Sequence, residues 1–139
     1  MTILVADDDH VMTLLLSNRL KHAGYSVLVA HDAMQAIMIA MRTLPDAILL
    51  DIKMPGGTGM QVLRRLKDST KTSLIPIIVV SGSIDAEIVA TVKTAGAEEY
   101  LSKPPDVDRL LSILDGLLHP QELPKTAGAP STQGCSPPE

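Results

Sequence analysis

The chain has 139 residues, a formal net charge of −4 at pH 7 and 45% hydrophobic residues, with two tyrosines and no Phe or Trp. This length fits one domain, whose core must be built from aliphatic side chains and methionine. The acidic balance gives no electrostatic attraction to nucleic acid or anionic lipid, and no apolar run approaches the roughly 20 residues that span a bilayer.

Short apolar runs alternate five times with longer helical patterns, which predicts a parallel α/β sheet. The predicted strands are residues 2–6, 25–30, 46–51, 75–81 and 98–102. The predicted helices are residues 9–22, 33–43, 58–68, 84–95 and 106–118. The first, third and fourth strands are apolar almost throughout, as expected of central strands covered on both faces, whereas the second and fifth are mixed and suit edges.

Two of the predicted helices carry distinctive side-chain patterns. The second helix has a stripe at helical spacing, Met34, Ile37, Met38 and Met41, and three alanines that should allow close approach to the sheet, Ala33, Ala36 and Ala40. A methionine stripe usually fills a core rather than forming a metal or redox site, so we expect it to pack against the sheet. The third helix carries a tight basic cluster: Arg64, Arg65 and Lys67. We interpret that cluster as a solvated helix face.

The composition changes from Pro120 onward. Residues 120–139 hold five of the ten prolines, with glycine, serine and threonine between them. Such a segment cannot bury enough apolar surface to offset ordering, so we expect one domain over residues 1–119 and a disordered tail over 120–139. The single cysteine, Cys135, lies in this tail and cannot form an internal disulfide, which is consistent with a reducing, cytoplasmic compartment. Because the first predicted strand begins by residue 3, we expect no signal peptide.

Polar side chains stand at or directly after the ends of four of the predicted strands. They are Asp7 and Asp8, Asp51, Ser81, and Lys103. In a parallel sheet ordered 2-1-3-4-5, ligands bind beyond the carboxyl ends of strands 1 and 3, where the strand order reverses. We therefore expect three carboxylates, one hydroxyl and one ammonium group to converge at this edge.

This convergence predicts a metal-assisted phosphoryl acceptor. Clustered carboxylates repel one another and demand a cation, and Mg²⁺ prefers oxygen ligands and keeps waters that a phosphate can displace. Asp51 is ionised at neutral pH without a general base, and attack on a phosphoryl group needs mainly alignment and charge neutralisation. Capping of the next helix is a simpler role for the Asp7–Asp9 run, and we assign it to Asp9 alone. The histidines show no ligand spacing: His10, His22, His31 and His119.

Four segments together resemble the receiver domain of two-component response regulators, of the chemotaxis-regulator type, over about residues 2–118. They are the acidic pair at 7–8, LLDIKMPGGTG around Asp51, SG at 81–82 and YLSKP at 100–104. The resemblance implies a doubly wound, flavodoxin-like (βα)5 fold with strand order 2-1-3-4-5. It also implies that Asp51 accepts a phosphoryl group from a phosphohistidine on a sensor histidine kinase or a histidine phosphotransfer protein.

The resemblance further implies a role for each site residue. Mg²⁺ would be bound directly by Asp8, largely through water by Asp7, and by Asp51 and the backbone carbonyl of Lys53. Ser81 and Lys103 would contact the phosphoryl group, with a cis peptide between Lys103 and Pro104. The protein would be a signalling protein rather than an enzyme, although it would slowly hydrolyse its own aspartyl phosphate.

Tyr100 falls at the family's switch aromatic position. The resemblance implies that phosphorylation draws Ser81 toward the phosphate and that Tyr100 then fills the vacated space. The output surface would comprise the fourth helix, fifth strand and fifth helix, where a downstream protein effector or a second copy of the chain binds. The fifth helix carries more apolar residues than one packed face requires, which fits either an exposed output surface or a wide stripe facing the core.

Two other functions compete with a phosphorylated receiver. A phosphatase of the haloacid dehalogenase type needs a second aspartate two residues after its nucleophile, and Lys53 occupies that position here. A receiver-like protein-binding module acting without phosphorylation is the alternative, but no charged residue of the site is missing. Pro105 departs from the family's usual bulky apolar residue without removing the site. No output domain follows in this sequence, which predicts a stand-alone receiver or a piece of a larger regulator.

Overall fold

The computed structural model of the chain describes residues 1–54, 57–82 and 86–119. Its strands are β1 (Thr2–Ala6), β2 (Ser26–Ala30), β3 (Ala47–Leu50), β4 (Lys53–Met54), β5 (Gly57–Thr58), β6 (Ile77–Ser81) and β7 (Glu99–Ser102). Its helices are α1 (His10–His22), α2 (Ala33–Thr43), α3 (Gly59–Asp68), α4 (Ala86–Thr94) and α5 (Val107–Leu118). All five predicted strands and all five predicted helices are confirmed, with ends within two residues of the prediction.

Five strands form one parallel sheet in the order β2-β1-β3-β6-β7, which is the predicted order 2-1-3-4-5. The mixed second and fifth predicted strands lie at its edges, as expected. Strands β4 and β5 form a separate antiparallel pair that the sequence did not predict. Each has only two residues, too few for an alternating pattern to show.

Side chains alternate between the two faces of the sheet, and helices cover both faces. One face packs against α2, α3 and α4, with a core that includes Leu4, Ile48, Leu50, Ile77, Val79, Val62, Leu63 and Leu66. The other face packs against α1 and α5, with a core that includes Ile3, Val5, Leu49, Ile78, Val80, Leu16, Leu20, Leu110 and Leu114. The fold is therefore the predicted doubly wound α/β architecture, with an aliphatic core on both sides.

The methionine stripe of α2 does not pack as predicted. Met34 and Met38 are 62% and 49% exposed, and the buried residues of α2 are three alanines: Ala33, Ala36 and Ala40. Small side chains on the inner face let the helix approach the sheet closely, so the longer methionines lie on its flank. Ile37 and Met41 are partly buried against the core. The prediction that the whole stripe fills the core was wrong.

The basic cluster of α3 is also only partly solvated. Arg64 and Arg65 are exposed, as predicted. Lys67 instead turns inward, with a side chain that is 12% exposed and makes a salt bridge to Glu98. The sequence pattern of an amphipathic helix does not distinguish a lysine that folds back over its own helix end from one that points into solvent.

The apolar residues of α5 form a wide stripe facing the core. Leu110 and Leu114 are buried, and the others pack partly buried against the same cluster: Val107, Leu111, Ile113, Leu117 and Leu118. Of the two explanations for this helix, the structure favours the core-facing one.

Among the described residues, no helix is both long and apolar enough to cross a bilayer. The tail predicted over 120–139, together with Cys135, lies outside the described residues.

Candidate functional site

Backbone hydrogen bonds extend the sheet past the ends of its strands and position the strand-end residues. The Asp51 amide donates to the Ala6 carbonyl at 2.9 Å, and the Asp7 amide donates to the Ala30 carbonyl at 3.0 Å. On the other side, the Lys103 amide donates to the Ser81 carbonyl at 3.0 Å. The side chains that follow β1, β3 and β7 are therefore held at one edge.

The acidic residues and the lysine meet at this edge. Lys103 Nζ lies 2.7 Å from Asp7 Oδ2 and 3.2 Å from Asp51 Oδ2. One carboxylate oxygen from each of Asp7, Asp8 and Asp51 lies within 4.8 Å of the others. Asp7 and Asp51 are 3% and 5% exposed, whereas Asp8 is exposed. The cluster therefore has two buried carboxylates and is open to solvent on the side of Asp8.

The charges in this cluster are not balanced. Burial raises the pKa of Asp51 and the neighbouring Asp7 charge raises it further, while Lys103 acts in the opposite direction. Burial disfavours the Lys103 ammonium, but its hydrogen bonds and charge interactions with Asp7 and Asp51 outweigh that effect and raise its pKa. One ammonium group thus faces three carboxyl groups, and the excess negative charge favours an additional cation.

The donor set suits a hard divalent cation. Carboxylate oxygens are the ligands that Mg²⁺ prefers, and the exposed Asp8 leaves a route by which an ion can enter. The Lys53 amide donates to Asp51 Oδ1 at 3.3 Å, so the backbone after Asp51 turns back beside the acidic cluster. The Lys53 side chain is exposed.

Gly59 fixes the backbone behind Asp51. Its amide donates to the Ile52 carbonyl at 2.6 Å. A Cβ at position 59 would collide with the Asp51 carbonyl oxygen, so the start of α3 approaches this loop only with glycine there. Thr58 and Gln61 then close a capping box that begins the helix.

Ser81 and Tyr100 lie on neighbouring strands of the same sheet. Ser81 ends β6, is 1% exposed and pairs with Ser102. Tyr100 pairs with Val79, two residues before Ser81, and is partly buried against the core under α4. Because strand residues two apart face the same side, the side chains of Tyr100 and Ser81 lie on one face of the sheet. The Lys103–Pro104 peptide bond is cis, as the resemblance implied.

Sequence reasoning missed a histidine pair beside the acidic cluster. The rings of His10 and His31 stack with centroids 3.8 Å apart, and His31 Nδ1 lies 3.1 Å from the Asp7 carbonyl oxygen. The available signal was that His31 directly follows β2, at the same edge of the sheet. Asp9 caps α1 as predicted, because its side chain accepts hydrogen bonds from the amides of Val11 and Met12.

Comparison with known proteins agrees with this architecture. A family model for the response regulator receiver domain matches residues 3–115. Protein PilH of Pseudomonas aeruginosa is 34% identical over 116 residues, covering 84% of this chain and 96% of PilH. Response regulator MprA of Mycobacterium avium is 35% identical over 118 residues, covering 85% of this chain and 51% of MprA. The chain thus spans about half the length of MprA.

A solved structure shows the same fold. The CheY-like response regulator receiver domain protein from Methanospirillum hungatei JF-1 superposes with a TM-score of 0.81 at 27% identity, over 87% of this chain and 95% of that one. Receiver domains serve two-component phosphorelay signalling, generally bind Mg²⁺ at an acidic pocket, and interact with histidine kinases or phosphotransfer proteins and with downstream effectors. They are signalling proteins rather than classical enzymes. With its match over residues 3–115, the chain belongs to the response regulator receiver domain family.

Proposed function

We propose that Asp51 is the phosphoacceptor of this receiver domain and takes its phosphoryl group from a phosphohistidine in a Mg²⁺-dependent reaction. One observation carries the proposal: Asp51 is 5% exposed beside Asp7, with Lys103 Nζ 3.2 Å from its carboxylate. A carboxylate that is buried beside another carboxylate lowers the stability of the fold, so such a group is typical of a site that binds a ligand. At that distance Lys103 would face a group that arrives at the carboxylate.

The chemistry needs little from the protein beyond alignment. A carboxylate oxygen of Asp51 attacks phosphorus while the phosphorus–nitrogen bond of the donor breaks, and that bond's electron pair stays on the imidazole nitrogen. The product is an acyl phosphate on Asp51. Lys103 neutralises charge on the transferred group, and the Ser81 hydroxyl donates a hydrogen bond to one of its oxygens.

A bound divalent cation would neutralise the remaining phosphoryl charge. The residues proposed to hold it are Asp7, Asp8 and Asp51 with the backbone carbonyl of Lys53. The donor set supports this part of the proposal, since carboxylate oxygens of the first three lie within 4.8 Å of one another. Water admitted to the acyl phosphate would then hydrolyse it slowly, which resets the domain.

A protein donor has a surface to dock on beside the cluster. On α1, Val11, Leu14 and Leu15 are 77%, 63% and 51% exposed, at spacings that place them on one face. A groove of ≈ 670 Å³ lined by Asp8, Lys53 and neighbouring residues opens next to the acidic cluster. Exposed apolar side chains beside a charged site suit a partner helix that carries the phosphohistidine.

We further propose that phosphorylation changes the surface of α4, β7 and α5. Ser81 would move toward the phosphoryl group and Tyr100 would follow it, since both face the same side of the sheet. A downstream protein effector, or a second copy of the chain, would bind the changed surface. Nucleic acid and membrane are not proposed as partners. The cytoplasmic location expected from the sequence stays a prediction.

Intact mass spectrometry after incubation with acetyl phosphate tests the proposal. We expect one phosphoryl group per chain with Mg²⁺ and none with EDTA, loss of the adduct in Asp51→Asn, and its retention in Asp68→Asn. Asp68 is the matched control because it is an exposed carboxylate at the end of α3. If the wild type gains no phosphoryl group from acetyl phosphate or from a phosphorylated histidine kinase, the proposal is wrong and the phosphorylation-independent binding module replaces it.

A further inference from the structure

A lysine in the last turn of α4 lies over the Tyr100 ring. Lys93 Nζ is 5.5 Å from the ring centroid, a distance at which a cation is attracted to the negative face of an aromatic ring. The same ammonium group lies 4.0 Å from Glu99 Oε1 and 3.4 Å from the Glu98 carbonyl oxygen. Contacts from both sides therefore keep Lys93 beside the strand that carries Tyr100.

These contacts add little to overall stability. The Lys93 and Glu99 side chains are 46% and 32% exposed, and an ion pair at such a surface contributes little to folding. What they do is local: they place a positive charge where it attracts the Tyr100 ring toward the end of α4. Tyr25 is the only other Tyr, Phe or Trp in the sequence. It precedes β2, which lies at the opposite edge of the sheet from β7.

The position of the Tyr100 ring matters because of where Ser81 lies. Tyr100 pairs with Val79, and Ser81 is two residues further along β6 on the same face. A ring that leaves the end of α4 and moves along this face approaches Ser81, whereas a ring held under Lys93 stays away from it. Lys93 interacts with the ring in one of these arrangements and loses that interaction in the other.

We propose that Lys93 is a positioning residue that holds Tyr100 against the end of α4 and so opposes the phosphorylated arrangement of the switch. This inference rests on the proposed function, in which Tyr100 follows Ser81 when Asp51 is phosphorylated. A contact that favours one of two states shifts their equilibrium by its differential free energy, and it weakens a ligand that favours the other state by up to the same factor.

The size and sign of the effect can both be stated. A cation–aromatic contact at a half-exposed site corresponds to a factor of about two to five in an equilibrium constant. Removing the Lys93 charge should therefore tighten binding of a phosphoryl mimic about two- to fivefold. Simple electrostatics predicts the opposite sign, because deleting a positive charge weakens attraction for an anion. The two causes are thus separable by direction alone.

The test is the Kd of beryllofluoride, a non-covalent mimic of an aspartyl phosphoryl group, measured by calorimetry with saturating Mg²⁺. Lys93→Met should bind about two- to fivefold more tightly than the wild type, and Lys93→Arg should bind like the wild type because a cation is restored. The effect of Lys93→Met should vanish in a Tyr100→Leu background. Lys21→Met is the matched control, since Lys21 is an exposed lysine in the last turn of α1, and its Kd should not change.

A second measurement observes the ring directly, without any phosphoryl mimic. In a chain with ¹³C-labelled tyrosine, Lys93→Met should shift the ring signals of Tyr100 and leave those of Tyr25 in place. An unchanged Kd in Lys93→Met, or a tightening that persists in Tyr100→Leu, overturns the inference and leaves the proposed function standing. A wild type that does not bind beryllofluoride at all overturns the proposed function, and the inference with it.

Discussion

A lysine lies at the centre of a partly buried polar cluster at each end of the sheet, and the two clusters differ in their charge balance. At the carboxyl ends of the strands, Lys103 contacts Asp7 at 2.7 Å and Asp51 at 3.2 Å, with Asp8 beside them. At the amino ends, Lys67 Nζ reaches three acceptors. They are the carbonyls of Ser73 at 3.1 Å and Ile75 at 2.8 Å, and Glu98 Oε2 at 3.2 Å.

The amino-end cluster is balanced. One ammonium group meets one carboxylate, and the second Glu98 oxygen accepts the Ile77 amide at 2.9 Å. Beneath it, the buried Thr72 hydroxyl donates to the Leu66 carbonyl at 2.5 Å. These bonds hold the loop between α3 and β6 against the end of α3, and they link that helix end through Glu98 to the start of β6. The carboxyl-end cluster keeps an excess of negative charge that a bound cation would neutralise. Full pairing thus marks a structural cluster, whereas imbalance marks one that is built to bind.

Breaking the balanced cluster should have the largest effect on stability. Lys67→Met leaves two loop carbonyls and the Glu98 carboxylate without their cation, so we expect a loss of about 2–3 kcal/mol in the free energy of unfolding. Urea denaturation should show a lower midpoint with an unchanged slope. Lys71→Met, at an exposed lysine in the same loop, should change stability by less than about 0.5 kcal/mol. Equal effects from the two variants would contradict the structural role of Lys67.

The contrast between the ends also explains what the sequence could and could not predict. The carboxyl-end residues could be predicted because each stands at or just after the end of a predicted strand, and parallel strands bring such ends together whatever the loops do. Lys67 was not visible, because its direction depends on how the loop after α3 folds back beneath it. Met34 and Met38 were misassigned because α2 carries two adjacent apolar rows, one of methionine and isoleucine and one of alanine, and helical period does not decide which row faces the sheet. The stacking of His10 on His31 joins segments far apart in sequence.

Adding magnesium should separate the two clusters further, because the ion should neutralise only the carboxyl-end cluster. A ligand that binds the folded state alone stabilises it by RT ln(1 + [L]/Kd), so Mg²⁺ at tenfold its Kd should add about 1.4 kcal/mol. Thermal or urea unfolding with and without MgCl₂ measures this effect. The same increment should persist in Lys71→Met and should shrink in Asp8→Asn, which lacks one proposed ligand. An equal increment in Asp8→Asn would show that the ion binds elsewhere.

The smallest effect should come from relieving the charge imbalance itself. Asp51→Asn removes a buried negative charge next to Asp7 while keeping an oxygen that can accept from Lys103. We expect the variant to be more stable than the wild type by about 1 kcal/mol at neutral pH in EDTA, as is common when a functional site is relaxed. Urea denaturation of both proteins in magnesium-free buffer measures the difference.

The pH dependence of that difference tests its cause. Because the pKa of Asp51 is raised above its ordinary value of 3.8, the folded chain holds this proton more tightly than the unfolded chain does. The stability that Asp51 contributes is therefore fully present below pH 3.8 and is lost as the pH rises through the raised pKa. Asparagine does not titrate, so the advantage of Asp51→Asn should be smallest in acid, widen with rising pH and then level off. Magnesium should narrow it again at neutral pH, because the ion stabilises the ionised wild-type cluster. If the stability difference between Asp51→Asn and the wild type stays constant from acid to neutral pH, burial beside Asp7 does not destabilise the ionised Asp51. The clusters at the two ends of the sheet would then differ in their residues but not in how their charges affect stability.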